Sequence, residues 1–189
     1  MVASGTTVEA FRTLRKRRVT IRDIAPQNAP LLIGLFDRLS TETRYLRFHS
    51  LMSNLTPQQK QAMARELSAL DPAKAVALVA LAQEEKGESA VAVARFSSQQ
   101  DPREADVAIV VRDDYQKDGL GTHLIRRIAE RGRTMGLRSF RSVMLSTNLA
   151  VPRLLTRAGL PFQRKRLPGG ETLLSISLSL KDEYERQRP

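Results

Sequence analysis

Apolar positions recur along this chain with two periods, and each change of period marks a new element. Val19 and Ile21 alternate with polar residues between Arg18 and Ile24, as in a half-buried strand. From Asn28 to Leu39 the apolar residues Leu31, Leu32, Leu35, Phe36 and Leu39 return at helical spacing. Ser40 or Thr41 can cap a second short helix that runs through Phe48. Thr56-Pro57-Gln58-Gln59 supplies an N-cap hydroxyl, a proline at the first helical position and a glutamine that closes a capping box. The third helix it starts should end near Leu70, before Asp71-Pro72. Lys74 to Gln83 is then a β-rich apolar run, Glu84 to Glu88 a hairpin turn and Ser89 to Phe96 the returning strand. After a polar loop a strand is predicted over 105–112.

Beyond it Leu120, Leu124, Ile128 and Ala129 share one face of a helix that Gly136 ends. A strand over Ser139–Leu145, a helix from about Asn148 to Ala158 and two strands over Phe162–Leu167 and Thr172–Leu180 complete the pattern. Seven strands interrupted by helices in this order predict an α+β fold with a mixed sheet. Residues 1–17 are polar, basic and unpatterned, and are read as a flexible or partly helical N-terminal arm. Residues 181–189 form a charged tail, which leaves 18–180 as one domain, within reach of a single core at 189 residues.

Composition narrows the chemistry. Cysteine is absent, which removes disulfides, thiolate metal sites and a cysteine nucleophile. His49 and His123 are the only histidines, so no metal site is expected. The longest uninterrupted apolar run, Ala75–Ala82, is too short to span a bilayer, and the start of the chain has no apolar signal core, so the expectation is a cytoplasmic protein without a membrane partner. The net charge is +11, from 24 Arg and 7 Lys against 20 acidic residues. Such a field attracts a polyanion, but the basic clusters are dispersed and aromatic residues make up 5% of the chain, so nucleic acid is not the expected partner.

The most informative stretch joins strand 105–112 to the helix after it. Its turn carries Gln116, Gly119 and Gly121. Glycines there let the backbone approach a ligand, and the first N–H groups of the following helix, at the positive end of its dipole, form an anion seat suited to phosphate.

Gln116-x-x-Gly119-x-Gly121 after a strand resembles the pyrophosphate loop of the GCN5-related N-acetyltransferases, the GNAT family. Two further segments agree. Asn148 through Leu154 to Gly159-Leu160 is similar to the family's segment of Asn, amphipathic helix and Gly-Phe, with Leu160 in place of the aromatic residue. Leu39-Ser40-Thr41-Glu42-Thr43-Arg44-Tyr45-Leu46-Arg47-Phe48 is similar to a segment of bacterial protein lysine acetyltransferases. Read without that resemblance, the latter is a packed helix with Tyr45 and Phe48 in the core. The resemblance covers roughly residues 18–180. It implies a mostly antiparallel sheet of about seven strands flanked by helices and splayed at the cofactor site.

The resemblance implies acetyl-CoA as cosubstrate and a primary amine, a protein lysine among the candidates, as acceptor in a ternary complex. Main-chain N–H groups of Lys117, Asp118, Gly119, Leu120, Gly121 and Thr122, with Gln116, would hold the pyrophosphate. Main-chain groups of Ile109, Val110 and Val111 would bind the pantetheine arm, and Asn148 would contact the cofactor unless its side chain only caps a helix. A glutamate on this strand is the general base of the lysine-acetylating relatives; Asp106 stands there and, one methylene shorter, would act through water, with Glu104 as the fallback. Where many relatives carry a tyrosine acid, this chain has Leu155. Tyr45 and Tyr115 lack the spacing to replace it, His123 is read as a rim residue, and His49 could line the acceptor site. The two departures keep a second reading open, a catalytically weak CoA-binding sensor or partner-binding module. A polyamine acceptor is disfavoured by charge. Self-association into a homodimer is not decided by the sequence.

Overall fold

The computed structural model describes residues 8–48, 55–98 and 101–179. Its strands are β1 (Val8–Arg12), β2 (Arg18–Asp23), β3 (Ala75–Glu84), β4 (Gly87–Ser98), β5 (Glu104–Val111), β6 (Ser139–Leu145), β7 (Phe162–Arg166) and β8 (Glu171–Ser177). The helices are α1 (Ala29–Asp37), α2 (Thr41–Phe48), α3 (Pro57–Ser68), α4 (Leu120–Thr134) and α5 (Ala150–Ala158). One sheet holds all eight strands in the order β1-β2-β3-β4-β5-β6-β8-β7. Every neighbouring pair is antiparallel except β5 and β6.

The eighth strand corrects the sequence reading of residues 1–17. Val8–Arg12 pairs with β2 from Val8↔Arg22 to Arg12↔Arg18 at the sheet's edge. It escaped the pattern because the face turned toward α4 carries Glu9 and Phe11, while Val8 points to solvent. Glu9 receives His123 and Arg127 of α4, and Phe11 stacks on the His123 ring. An ionic and aromatic contact thus replaces the apolar one that period-two reading looks for. His49 and the tail 181–189 lie outside the described residues.

Helices cover both faces of the sheet. Phe96, Phe140, Leu120, Leu124 and Ile128 form the larger core beneath α4 and α5, while Leu35, Leu39, Val79, Leu81 and Ala90 form the other beneath α1. Lying in the middle, β3 is buried on both faces, and this explains its unbroken apolar run. The predicted capping box starts α3: Thr56 Oγ1 accepts from the Gln59 N–H (3.2 Å) and Gln59 Oε1 from the Thr56 N–H (2.8 Å). The Arg164-Lys165-Arg166 cluster lies on β7, the edge strand opposite β1, where charge keeps an open edge from pairing with another chain.

Gly132 brings α4 against the sheet. A Cβ there would lie 2.8 Å from Phe140 Cζ and 3.1 Å from Leu178 Cδ1, and both of those side chains are buried. Overpacking of this kind costs about 1–3 kcal/mol, against a gain in helix propensity of up to about 1 kcal/mol. Gly132→Ala should therefore lower Tm by a few degrees in thermal denaturation. An unchanged or higher Tm would mean that Phe140 yields freely.

Candidate functional site

The sheet opens where the cofactor loop was expected. β5 and β6 pair in parallel only at Glu104↔Ser139, Ala105↔Phe140 and Asp106↔Arg141. Beyond Asp106, β5 stays with β4 as far as Val111, and β6 stays with β8 as far as Leu145. The two central strands therefore diverge and leave one edge of β5 unpaired. Alternate residues of a strand direct their N–H and C=O groups to opposite neighbours. The N–H after the strand, that of Arg112, donates to Val91 O of β4 (2.8 Å), whereas Val111 O accepts from Gln116. Ile109 and Val111 thus turn main-chain groups toward the opening, and Val110 turns its own toward β4.

The glycine loop closes the wide end of this opening. Lys117 and Gly119 both have positive φ, +54° and +82°, and α4 begins directly after Gly119 without a side-chain cap. Among the described residues, the N–H groups of residues 117–122 take no hydrogen-bond partner; the first helical bond is His123 N–H to Gly119 O at 3.0 Å. Unpartnered N–H groups from a turn and a helix N-terminus converge here, the arrangement an anion requires.

Three side chains of this turn work as braces, two of them, Gln116 and Asp118, read from the sequence as cofactor contacts. Gln116 Nε2 donates to Val111 O (3.0 Å) and to Thr43 Oγ1 (3.1 Å), tying strand end, loop and α2 together. Asp118, read as a cofactor contact, has a fully buried carboxylate that faces the N-terminal segment. It accepts from the Arg15 N–H (2.6 Å) and from Arg17 Nη2 (2.5 Å) and Nε (3.1 Å), while its carbonyl accepts from the Leu14 N–H (3.1 Å). Burial alone would push this carboxyl up, but the hydrogen bonds from Arg17, Arg15 and Thr13 hold it below the usual aspartate range. Asp113 ties the turn to α2, accepting from Ser40 N–H (2.8 Å), Ser40 Oγ (2.6 Å) and Thr43 Oγ1 (2.7 Å). These bonds outweigh its burial and lower its pKa.

Those contacts give the Leu39–Phe48 segment a structural meaning that packing alone did not. Phe48 packs near Phe36 as expected, with ring centroids 5.6 Å apart, but Tyr45 is exposed. Tyr115 is buried against the Arg17 guanidinium, 3.6 Å from its ring centroid. Asn148 is buried, and its Oδ1 accepts from the Ala150 and Val151 N–H groups (3.2 and 3.4 Å) at the start of α5. That is the capping alternative; its Nδ2 has no partner among the described residues. Leu155 is buried in the core, so no acid stands at its position.

Asp106 is exposed on the β5 face that also carries Ala108 and Val110, at the last paired step before the opening. Glu104, two residues earlier, accepts from Ser139 Oγ (3.3 Å) and Arg141 Nη1 (3.4 Å). On that same face an apolar cleft runs beneath α1, α2 and α3, lined by Leu35, Phe48, Met63 and Val110 and by two arginines, Arg47 and Arg95. The sequence reading quoted Arg47 only as part of the Leu39–Phe48 segment, with no role for its side chain, and passed over Arg95, one of 24 arginines, because nothing in its spacing sets it apart. Among the described residues no cluster of three or more His, Asp or Glu side chains could hold a metal, and no helix is long and apolar enough to cross a membrane.

Comparison with known proteins agrees with the geometry. The family model described as an acetyltransferase (GNAT) domain matches residues 18–161. An acetyltransferase from Pseudomonas aeruginosa is 28% identical over 148 residues, 78% of this chain and 77% of the relative. The structure is similar to the GNAT domain of a Streptomyces lividans protein, PAT, with a TM-score of 0.76, 23% identity and 90% and 96% of the two chains covered. It is also similar to the ribosomal-protein-S5-alanine acetyltransferase of Vibrio fischeri, with a TM-score of 0.70, 15% identity and 97% and 100% covered. At those identities the two structural likenesses concern the fold. The family match spans more than half of the sequence and includes the splayed strand, the loop and α5, and the chain belongs to the GNAT family of N-acetyltransferases.

Proposed function

We propose that this chain transfers an acetyl group from acetyl-CoA to a primary amine, a protein lysine being one candidate, by direct attack within a ternary complex. The observation that carries this reading is the divergence of β5 from β6 directly beneath unpartnered N–H groups of residues 117–122. Those N–H groups would hold the pyrophosphate. Ile109 and Val111 would hold the pantetheine arm as an added strand, and Asn148 Nδ2 would donate to it. Acetyl-CoA supplies an activated acetyl thioester. The amine nitrogen bonds to the carbonyl carbon, a main-chain N–H at the opening stabilises the oxyanion so formed, and the carbon–sulfur bond then breaks to release CoA as its thiolate while the nitrogen gives up its extra proton to solvent.

A lysine amine, with a pKa of about 10.4, is protonated near neutral pH and must first lose a proton. Asp106 would receive it, through a water because its side chain is short. General-base catalysis contributes about 10²–10⁴-fold. Asp106→Ala should then lower kcat/KM at least about 100-fold in a CoA-release assay, with acetyl-CoA affinity in calorimetry unchanged.

The buried Leu155 favours a second reading, a CoA-binding module with weak or no catalysis. That reading requires acetyl-CoA binding, with turnover on amines and lysine peptides that is indifferent to Asp106→Ala. Absence of acetyl-CoA binding would sink both.

A further inference from the structure

The cleft on the Asp106 face is lined by two arginines that have no hydrogen-bond or ion-pair partner among the described residues. Arg47 comes from α2 and Arg95 from β4, and both line a cavity of about 50 Å³ whose other walls are Leu32, Phe36, Met63, Ala108 and Val110, with the stem of Lys60. Lys60 is paired with Asp37 Oδ1 at 2.5 Å. Among the described residues, neither Arg47 nor Arg95 makes a hydrogen bond or ion pair. The Arg47 guanidinium lies over the Phe48 ring (4.9 Å), and Glu66 acts on Arg95 from beyond contact distance. Burial, with Arg95 beside it, pulls the Arg47 guanidinium down to about 10, and burial lowers Arg95 as well. A guanidinium stays charged at neutral pH.

Both arginines are half-buried, and two like charges facing one apolar cavity repel each other and favour an anion that joins them. Their position says which anion. Arg95 is the cross-strand partner of Ala108, and Ala108 and Val110 belong to the stretch of β5 that borders the opening. A group held between the arginines would lie one strand over from the transfer point, roughly 5–10 Å away by strand spacing and rise. The cavity has room for a few water-sized groups, enough for a carboxylate and too little for a nucleotide.

We propose that Arg47 and Arg95 form an anion subsite for the acceptor, so that the favoured amine carries a carboxylate: either an acidic residue flanking a lysine or the α-carboxylate of a free amino acid. This rests on the acetyl-transfer reading above. Planar guanidinium donors suit a carboxylate, and the apolar walls strengthen the pairing.

The test compares four acceptors in a CoA-release assay: a lysine peptide with flanking glutamates, the same peptide with glutamines, free lysine, and its decarboxylated analogue cadaverine. Equilibrium binding of the two fluorescently labelled peptides is followed in parallel by anisotropy. The wild type should favour the glutamate peptide over the glutamine peptide, or lysine over cadaverine, by about 10-fold or more; which pair shows the preference identifies the source of the carboxylate. Arg47→Met and Arg95→Met should each abolish that preference while leaving the glutamine peptide, cadaverine and acetyl-CoA affinity unchanged. Replacing a half-buried cation that faces apolar walls by methionine should hold or raise Tm, which separates this effect from misfolding.

A preference for the glutamate peptide in binding that both variants lose, without any acetyl transfer, would keep the subsite and overturn the acetyl-transfer reading. Acetyl transfer with no charge preference, or with a preference that both variants retain, would overturn the subsite and leave that reading standing.

Discussion

Gly119→Val should bind acetyl-CoA at least about 100-fold more weakly than the parent chain, with turnover falling in parallel. Gly119 holds φ at +82°, a conformation that a β-branched residue does not adopt without strain, and a Cβ there would lie 3.3 Å from Leu14 Cγ. Relief of both problems turns the peptide planes on either side of Gly119. Those planes carry the Gly119 and Leu120 N–H groups, two of the unpartnered donors that would face the pyrophosphate. A hydrogen bond to a charged group is worth about 1.5–3 kcal/mol, so misdirecting two of them exceeds the roughly 2.7 kcal/mol of a 100-fold loss. Calorimetry with acetyl-CoA decides the matter; an affinity within about threefold of the parent would place the pyrophosphate elsewhere.

The sequence carried the loop so clearly because its requirements are local. A strand, two glycines and a helix in register announce an anion seat wherever they occur, and the elements on either side followed from periodicity. The opening of the sheet is not local. Nothing in Val107–Val111 or Ser142–Leu145 says that these strands part after Asp106↔Arg141; only the resemblance to a known family brought that expectation.

The braces of the loop were hidden for a related reason. Asp118, Asp113 and Gln116 are polar residues in a polar turn, where the default assignment is a ligand or solvent. Their partners, Arg15 and Arg17, Ser40 and Thr43, and Val111 O, are for the most part distant in sequence. The N-terminal segment illustrates the cost of reading period alone. Glu9 packs inward on His123 and Arg127, so the strand that fixes this edge of the sheet had no apolar signature.

These contacts make the pyrophosphate seat depend on the N-terminal segment, and a substitution at Asp118 should expose that dependence. Asp118→Ala removes the acceptor shared by the Arg15 N–H, the Arg17 guanidinium and the Thr13 side chain, the groups through which the β1–β2 turn grips this side chain. Losing a buried, charge-assisted acceptor destabilises by about 2–3 kcal/mol. The loop should loosen as well, weakening acetyl-CoA binding about 10-fold. The pH dependence distinguishes this from a generic packing defect. The carboxyl is depressed in the folded chain, so the stability it contributes is present above the unfolded aspartate pKa of about 3.9 and is lost as pH falls through the lower folded value. The Tm gap between the parent and Asp118→Asn, which keeps the shape but not the charge, should therefore be constant from neutral pH down to about 5 and close on further acidification. A gap that persists unchanged at pH 3 would mean that the charge on Asp118 contributes nothing and that the turn is held by its neutral bonds, such as that from the Leu14 N–H to Asp118 O.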